Sequence, residues 1–227
     1  MRQSEPVLLS FSGGKDSVMA LATLESDPAW QVVGLLVTVD QNENLAMHGV
    51  PLSLVSVQAR ALGVPLRIMR VPPNADNPAY RHALEESLEE ARMLHPRLSH
   101  IAFGDLHLAD IRAWREALVR ELGWTPLFPL WGADTATLAR RVVNEGWKAR
   151  LVCVDSQQLD ARFLGRDFDA ALLAELPPSC DPCGEHGEFH TFAYDGPAFD
   201  HPVAFTQTPP GPDEGRFRRI DLAPDPS

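Results

Sequence analysis

The chain is short of cysteine, of positive charge and of long apolar runs, and each shortage removes a class of protein. Three cysteines among 227 residues, Cys153, Cys180 and Cys183, are an odd number and too few for a disulfide framework. That excludes a small disulfide-stapled secreted domain and fits a reducing compartment. Lys and Arg number 20 against 31 Asp and Glu, a formal net charge of −11, so the molecule as a whole repels phosphate backbones and no nucleic-acid partner is expected. No apolar run approaches the ~20 residues that span a bilayer. The opening residues MRQSEP lack the apolar core of a signal peptide. A cytoplasmic protein without membrane contact is expected.

What is present is an ordinary globular balance, 44% hydrophobic and 22% charged, in a chain long enough for one large domain with a small partner. Strand-like and helix-like segments alternate. Val7 to Phe11 reads as a buried strand, with a helix beginning near Ser17; "WQVVGLLVTVD" (Trp30 to Asp40) is a second strand, and "LSLVSVQARALG" is a helix stopped by Gly63. "VPLRIMRV" (Val64 to Val71) is a third strand. From Pro78 onward Tyr80, Leu84, Leu88, Ala91 and Leu94 recur at helical spacing, with Glu85, Glu86, Glu89 and Glu90 facing solvent. "HIAFGDL" (His100 to Leu106) is a fourth strand breaking at Gly104, followed by a helix with Leu108, Ile111, Leu118 and Leu122 as its inner stripe. A helix from about Thr135 to Glu145 leads to "WKARLVCVD", the expected fifth strand. Repeated β-α units predict an α/β fold, a parallel sheet with helices on both faces, whose ligands collect at the carboxyl ends of the strands.

Beyond Asp155 the texture becomes rich in Pro, Gly and Cys, and "TPPGPDEG" reads as an exposed linker before a frayed end. The expected division is a nucleotide domain over residues 1–131, a smaller C-terminal substrate subdomain over 132–210 and a tail over 211–227.

The segment "SGGKDS", Ser12 to Ser17, joins the first strand to its helix. There Gly13 and Gly14 let backbone approach an anion, Ser12 and Ser17 add hydroxyls, Lys15 adds a compact charge, and the helix contributes free N–H groups and its positive dipole end. The bland reading is a Gly-Gly turn with a capping serine. The loop lacks the Walker spacing and the third glycine of the dinucleotide fingerprint. It closely resembles the SGGxDS loop of the PP-loop ATP pyrophosphatases. In that superfamily the loop holds the β- and γ-phosphates while ATP is cut between its α- and β-phosphates.

Three further stretches, "FGDLHLADIRAWRE", "LGWTPLFPLWG" and "CGEHGEFHTF", stand in the order and at the separations that resemble the diphthine–ammonia ligase family, the ATP-binding-domain-4 group of PP-loop proteins, in its bacterial-type branch. The resemblance runs from about Leu8 to Phe199. It implies a Rossmann-like ATP domain, ATP and Mg2+ as cofactors, and a carboxylate that is adenylated and then converted by ammonia to an amide. Carried onto this chain, Ser12, Gly13, Gly14, Lys15, Asp16, Ser17 and Gly104 would hold the nucleotide, Asp16 and Asp105 the metal, and Glu185, Glu188, His190 and Thr191 the acceptor or ammonium. Lys15, Asp105 and Glu188 would carry the chemistry. Where other members have an acidic residue, this chain has His190, which changes the charge of the acceptor pocket.

The residues themselves leave alternatives. Asp105 either reaches metal or ribose or caps the helix after it; Glu185 and Glu188 are either paired carboxylates suited to ammonium or solvated turn residues. Cys180, Cys183, His186 and His190 form a run too compact for a zinc finger, with metal binding kept as the minor alternative. Pro129 to Gly132 read as hinge and packing, with Trp131 as a wall of the cleft. Two rival functions are a tRNA-modifying PP-loop enzyme and a non-catalytic adenine-nucleotide sensor. The expected partners are a small or protein-borne carboxylate and ammonia; self-association is left open.

Overall fold

The computed structural model describes residues 4–45, 49–72, 75–208 and 215–225. Its first half is built from β1 (Glu5–Ser10), α1 (Lys15–Ser26), β2 (Trp30–Val39), α2 (Leu52–Ala61), β3 (Leu66–Arg70), α3 (Asn77–Leu94), β4 (His100–Ala102), α4 (Ala109–Glu121) and β5 (Thr125–Leu127). All five strands run parallel in the order β3-β2-β1-β4-β5. In β1, Val7 and Leu9 pack on the side that carries α1 and α2, while Leu8 packs with Leu84 of α3 and Val119 of α4. This alternation is what a strand buried on both faces requires, and it explains the unbroken apolar run. The sheet is therefore Rossmann-like, and its order reverses between β1 and β4. Loops leaving those two strands diverge and open a crevice at their carboxyl ends.

The second half comprises α5 (Thr135–Asn144), β6 (Lys148–Asp155), a single 3-10 turn at Ala161–Phe163, α6 (Ala170–Glu175), β7 (Phe189–Asp195), β8 (Phe205–Gln207), β9 (Phe217–Arg219) and β10 (Leu222–Pro224). Strands β7-β6-β9 form an antiparallel sheet, and β8 pairs antiparallel with β10. Leu151, Val154, Phe189 and Phe192 share one apolar cluster with Val18, Leu21 and Val55, so this sheet packs directly on the α1 and α2 side of the first.

Three expectations are corrected. Lys148–Asp155 is the centre of the antiparallel sheet, not the fifth parallel strand; its run of buried apolar residues does not distinguish the two. The fifth strand is Thr125–Leu127, just before the Pro129 to Gly132 stretch read as hinge and packing. Pro126 has no N–H and argues against a strand, yet β5 pairs only with β4 and an edge position tolerates it. The frayed end is also overturned: β9 pairs with β6, and Ile220 and Leu222 are buried. Most of the linker expectation at "TPPGPDEG" lies outside the described residues. The inner stripes are incomplete at the end of α3, where Leu94 is 64% exposed, and at the start of α4, where Ile111 is 37% exposed. Among the described residues no helix is long and apolar enough to cross a membrane.

Candidate active site

The loop after β1 is shaped by backbone rather than by side chains. Gly13 holds φ +75°, where an added Cβ would also stand 3.0 Å from Gln58 Oε1; both facts require glycine. Gly14 caps α1 without a side-chain bond, and a Cβ there would come within 3.0 Å of the Thr191 carbonyl. Ser17 Oγ donates to the Gly14 carbonyl at 2.8 Å and fixes the first helical turn.

The loop is held from behind by β7. Ala193 N–H donates to the Gly13 carbonyl at 2.8 Å, and Lys15 N–H donates to Thr191 Oγ1 at 3.0 Å. Gln58, wholly buried on α2, donates through Nε2 to the carbonyls of both Gly13 (2.9 Å) and Ala193 (2.6 Å). Thr191, expected in the acceptor pocket, thus touches the loop itself.

In front of the loop lies a cleft of about 1010 Å³. The first sheet contributes Ser12, Gly14, Asp16, Ser17, Gly104 and Asp105 to it, together with Tyr80 and Trp114, whose rings lie 5.6 Å apart. The second sheet and its loops contribute Glu185, His190, Thr191, Arg216 and Phe217. A second cleft of about 580 Å³ between α5 and α6 is lined by Cys180 but by none of the residues expected to hold nucleotide, magnesium or acceptor.

Within the site the roles differ from residue to residue. Lys15 was expected to face phosphates, but it is 2% exposed and its ammonium is engaged: Nζ donates to Asp16 Oδ2 at 2.8 Å and to the Cys183 carbonyl, with the rings of Phe168 and Phe189 each 5.4 Å away. Burial pulls this ammonium toward neutrality, but Asp16, with Cys183 and Glu185, outweighs it and raises the pKa above the usual lysine value. Asp16 keeps a second oxygen, Oδ1, that is buried and has no hydrogen-bond partner among the described residues.

Asp105 stands at the end of β4 as expected but forms an ion pair with Arg115, Nε to Oδ2 3.0 Å. Burial pushes its carboxyl up and Arg115 opposes this. It does not cap α4, whose N-cap, Leu108, has no side-chain bond. Gly104 serves close approach: a Cβ there would lie 3.3 Å from the Asp16 carbonyl at the start of α1.

Glu188 departs furthest from its expected role. It is 1% exposed and does not face the cleft; Oε1 accepts from Asp181 N–H at 2.8 Å and Oε2 from His186 N–H at 2.9 Å, so it braces the 181–188 turn from inside. Glu185 faces the cleft and reaches across it, with Oε1 accepting from the N–H groups of Leu106 (3.2 Å) and His107 (3.0 Å) on the loop after β4. Burial pushes its carboxyl up, those two donors pull it down, and nearby Asp16 adds to the rise. Cys180 and Cys183 are buried, and burial pushes both thiols up to about 12, which leaves them neutral and unreactive. Among the described residues no group of three or more His, Cys, Asp and Glu is placed to hold a metal ion.

Sequence reasoning missed Gln58, Tyr80, Trp114, Arg115, Arg216 and Phe217. Tyr80 has the helical spacing of a core residue; Trp114 and Arg115 lie within the FGDLHLADIRAWRE stretch without being singled out, and Gln58, Arg216 and Phe217 carry no local motif.

The strand order, the switch point and the loop seated there define a Rossmann-like α/β protein with an anion-binding type of loop at its crevice. The diphthamide synthase N-terminal domain model matches residues 6–126 and the diphthamide synthase C-terminal domain model matches residues 134–208. The chain belongs to the diphthamide synthase family. No curated protein matches it. Among solved structures, the U34-tRNA thiolase NcsA from Methanococcus maripaludis aligns at 17% identity with a TM-score of 0.41, over 62% of this chain and 58% of that one. This chain thus spans less than three fifths of that protein's length.

Proposed function

We propose that the chain is an ATP-dependent ligase that activates a substrate carboxylate by adenylation, releases pyrophosphate and transfers ammonia to form an amide. The observation that carries this reading is the SGGKDS loop at the switch point, faced across one cleft by a second wall from the C-terminal family domain. On it, residues 1–131 serve the nucleotide and 132–210 the acceptor.

The site fits ATP and Mg2+. The N–H groups of Asp16 and Ser17 in the first turn of α1, with the Ser12 hydroxyl, take the outer phosphates. Magnesium is held through one or two carboxylates together with phosphate oxygens, and the unpartnered buried Asp16 Oδ1 is an acceptor of the kind a cation satisfies. When bound, the ion neutralises charge on the departing pyrophosphate. Tyr80 and Trp114 offer aromatic surface for a base. Lys15 orients Asp16 instead of meeting phosphate itself.

In the bond bookkeeping, a carboxylate oxygen attacks the α-phosphorus and the bond to the β-phosphate oxygen breaks. Ammonia then attacks the acyl carbon, AMP leaves, and the nitrogen loses a proton. Glu185, which faces the cleft, takes the ammonium and proton-accepting role that the sequence divided between it and Glu188; burial raises its carboxyl, which favours accepting a proton.

The test is ATP–pyrophosphate exchange across a panel of carboxylates with Mg2+, followed by product analysis with ammonium present. Carboxylate-dependent exchange with AMP as product supports the reading; ADP and orthophosphate overturn it. ATP binding without exchange across the whole panel would favour a sensor.

A further inference from the structure

We propose that Arg216 and Phe217 form a subsite for an anionic group on the acceptor, so that the molecule activated here carries a second negative charge besides the reacting carboxylate. The word acceptor rests on the ligase reading; the anion subsite is a separate statement about binding.

The two residues lie beyond both family-model matches, which end at residue 208, yet both line the cleft. They reach it because β9 pairs antiparallel with β6, opposing Phe217 to Asp155. The backbone is fixed there: Ser156 donates to the Arg216 carbonyl through N–H at 2.9 Å and through Oγ at 2.7 Å.

The side chain is fixed as well. Asp155 has no exposed surface, and its Oδ2 accepts from Arg216 Nε at 2.8 Å and from Nη2. Gln157 N–H and Gln158 Nε2 donate to the same carboxylate, at 3.1 and 2.7 Å, so it has no freedom to turn. Gln158 Nε2 also reaches the His186 carbonyl at 3.3 Å, which ties this network to the 181–188 turn of the acceptor wall.

A buried carboxylate therefore aims a guanidinium that is itself 47% exposed. Nε and Nη2 face Asp155, which leaves the Nη1 edge for a ligand. A guanidinium stays charged at every working pH, and its planar N–H groups match the oxygens of a carboxylate or phosphoryl group. Holding it in place before binding removes most of the ordering cost. On the ligase reading, the outer phosphates of a nucleotide have their donors on the facing wall, at Ser12 and the first turn of α1. Arg216 sits on the wall with Glu185 and His190, where the acceptor belongs.

The test is calorimetry on the full chain with Mg2+ and α,β-methylene-ATP, titrating butyrate, glutarate and 4-phosphonobutyrate. The three share a reacting end and differ in a neutral, carboxylate or phosphonate tail. Wild type is expected to prefer a charged tail by about tenfold or more, and Arg216→Gln to reduce that preference to within about twofold while analogue affinity holds. The preferred tail tells carboxylate from phosphoryl. Arg216→Lys keeps a cation beside Asp155 and guards against a folding defect; it should retain the sign of the preference and lose most of its size. The proposal is overturned if wild type shows no tail preference, if Arg216→Gln leaves the preference intact, or if the variant loses analogue affinity instead, which would give Arg216 to the nucleotide. Tail preference in a protein that turns ATP into ADP would leave the subsite standing and sink the ligase reading.

Discussion

The two walls of the cleft are assembled in opposite ways. On the first-sheet wall, six consecutive residues, Ser12 to Ser17, carry the anion-binding surface, and a strand followed by two glycines and a helix is enough to shape it. On the second wall Glu185 and His190 come from one segment and Arg216 from another, and two of them are aimed by something remote: Glu185 by backbone N–H groups of the loop after β4, Arg216 by buried Asp155. The contrast teaches that, on the proposed function, nucleotide handling would be a local property of the chain, whereas acceptor recognition would be a property of the folded whole.

That comparison breaks first at Lys15, which sits in the local motif but works across to the other wall. Lys15→Met removes a buried cation from Asp16 and the Cys183 carbonyl and should cost about 3 kcal/mol in denaturant unfolding. An unchanged unfolding midpoint together with lost pyrophosphate release would restore the phosphate role expected of Lys15 from the motif.

Glu188→Gln comes next. A side chain that accepts two buried N–H groups loses one acceptor, so stability should fall by roughly 1–3 kcal/mol. A variant of native stability that adenylates but makes no amide would return Glu188 to catalysis.

A smaller effect is set by pH. The Arg216 guanidinium, together with Gln158 and Gln157, holds Asp155 down to about 2 from an ordinary value of 3.8. Since the folded pKa is depressed, its contribution to stability is complete above pH 3.8 and fades as pH falls toward 2. An acid titration of the thermal midpoint should show that limb in wild type and a flatter one in Arg216→Gln.

The smallest change expected is at the nucleotide end, where Trp114→Ala should weaken binding of a Mg2+–ATP analogue by about 1 kcal/mol, the scale of one aromatic contact. Loss of the tail preference instead would place Trp114 with the acceptor.

How far the sequence was legible follows from the same division. Strands β1 to β4 and their helices were readable because each is specified by its own apolar period, and α2 and α4 also by glycine stops at Gly63 and Gly123. The loop was readable as a motif. Lys148–Asp155 was readable as a strand but not as to which sheet, because burial on both faces produces the same pattern in either setting. Strand β5, three residues around Pro126, carries too little signal to be seen before its neighbour is known. The roles of Glu185 and Glu188 were inseparable in sequence: two glutamates three apart in a glycine-rich turn point opposite ways, one outward across the cleft and one inward to its own backbone. Arg216 announces nothing locally, since its meaning is given by a carboxylate 61 residues earlier.

The Gln58 amide, shared between the carbonyls of Gly13 and Ala193, has a consequence for how the protein is divided. A split at residue 132 would leave the N-terminal fragment with a Gly13 carbonyl missing its strand donor and the C-terminal fragment with a strand edge missing its loop. The loop and the strand behind it are thus shared between the two matched regions, and either half expressed by itself should be less stable than the whole chain, as a comparison of their denaturant unfolding would show.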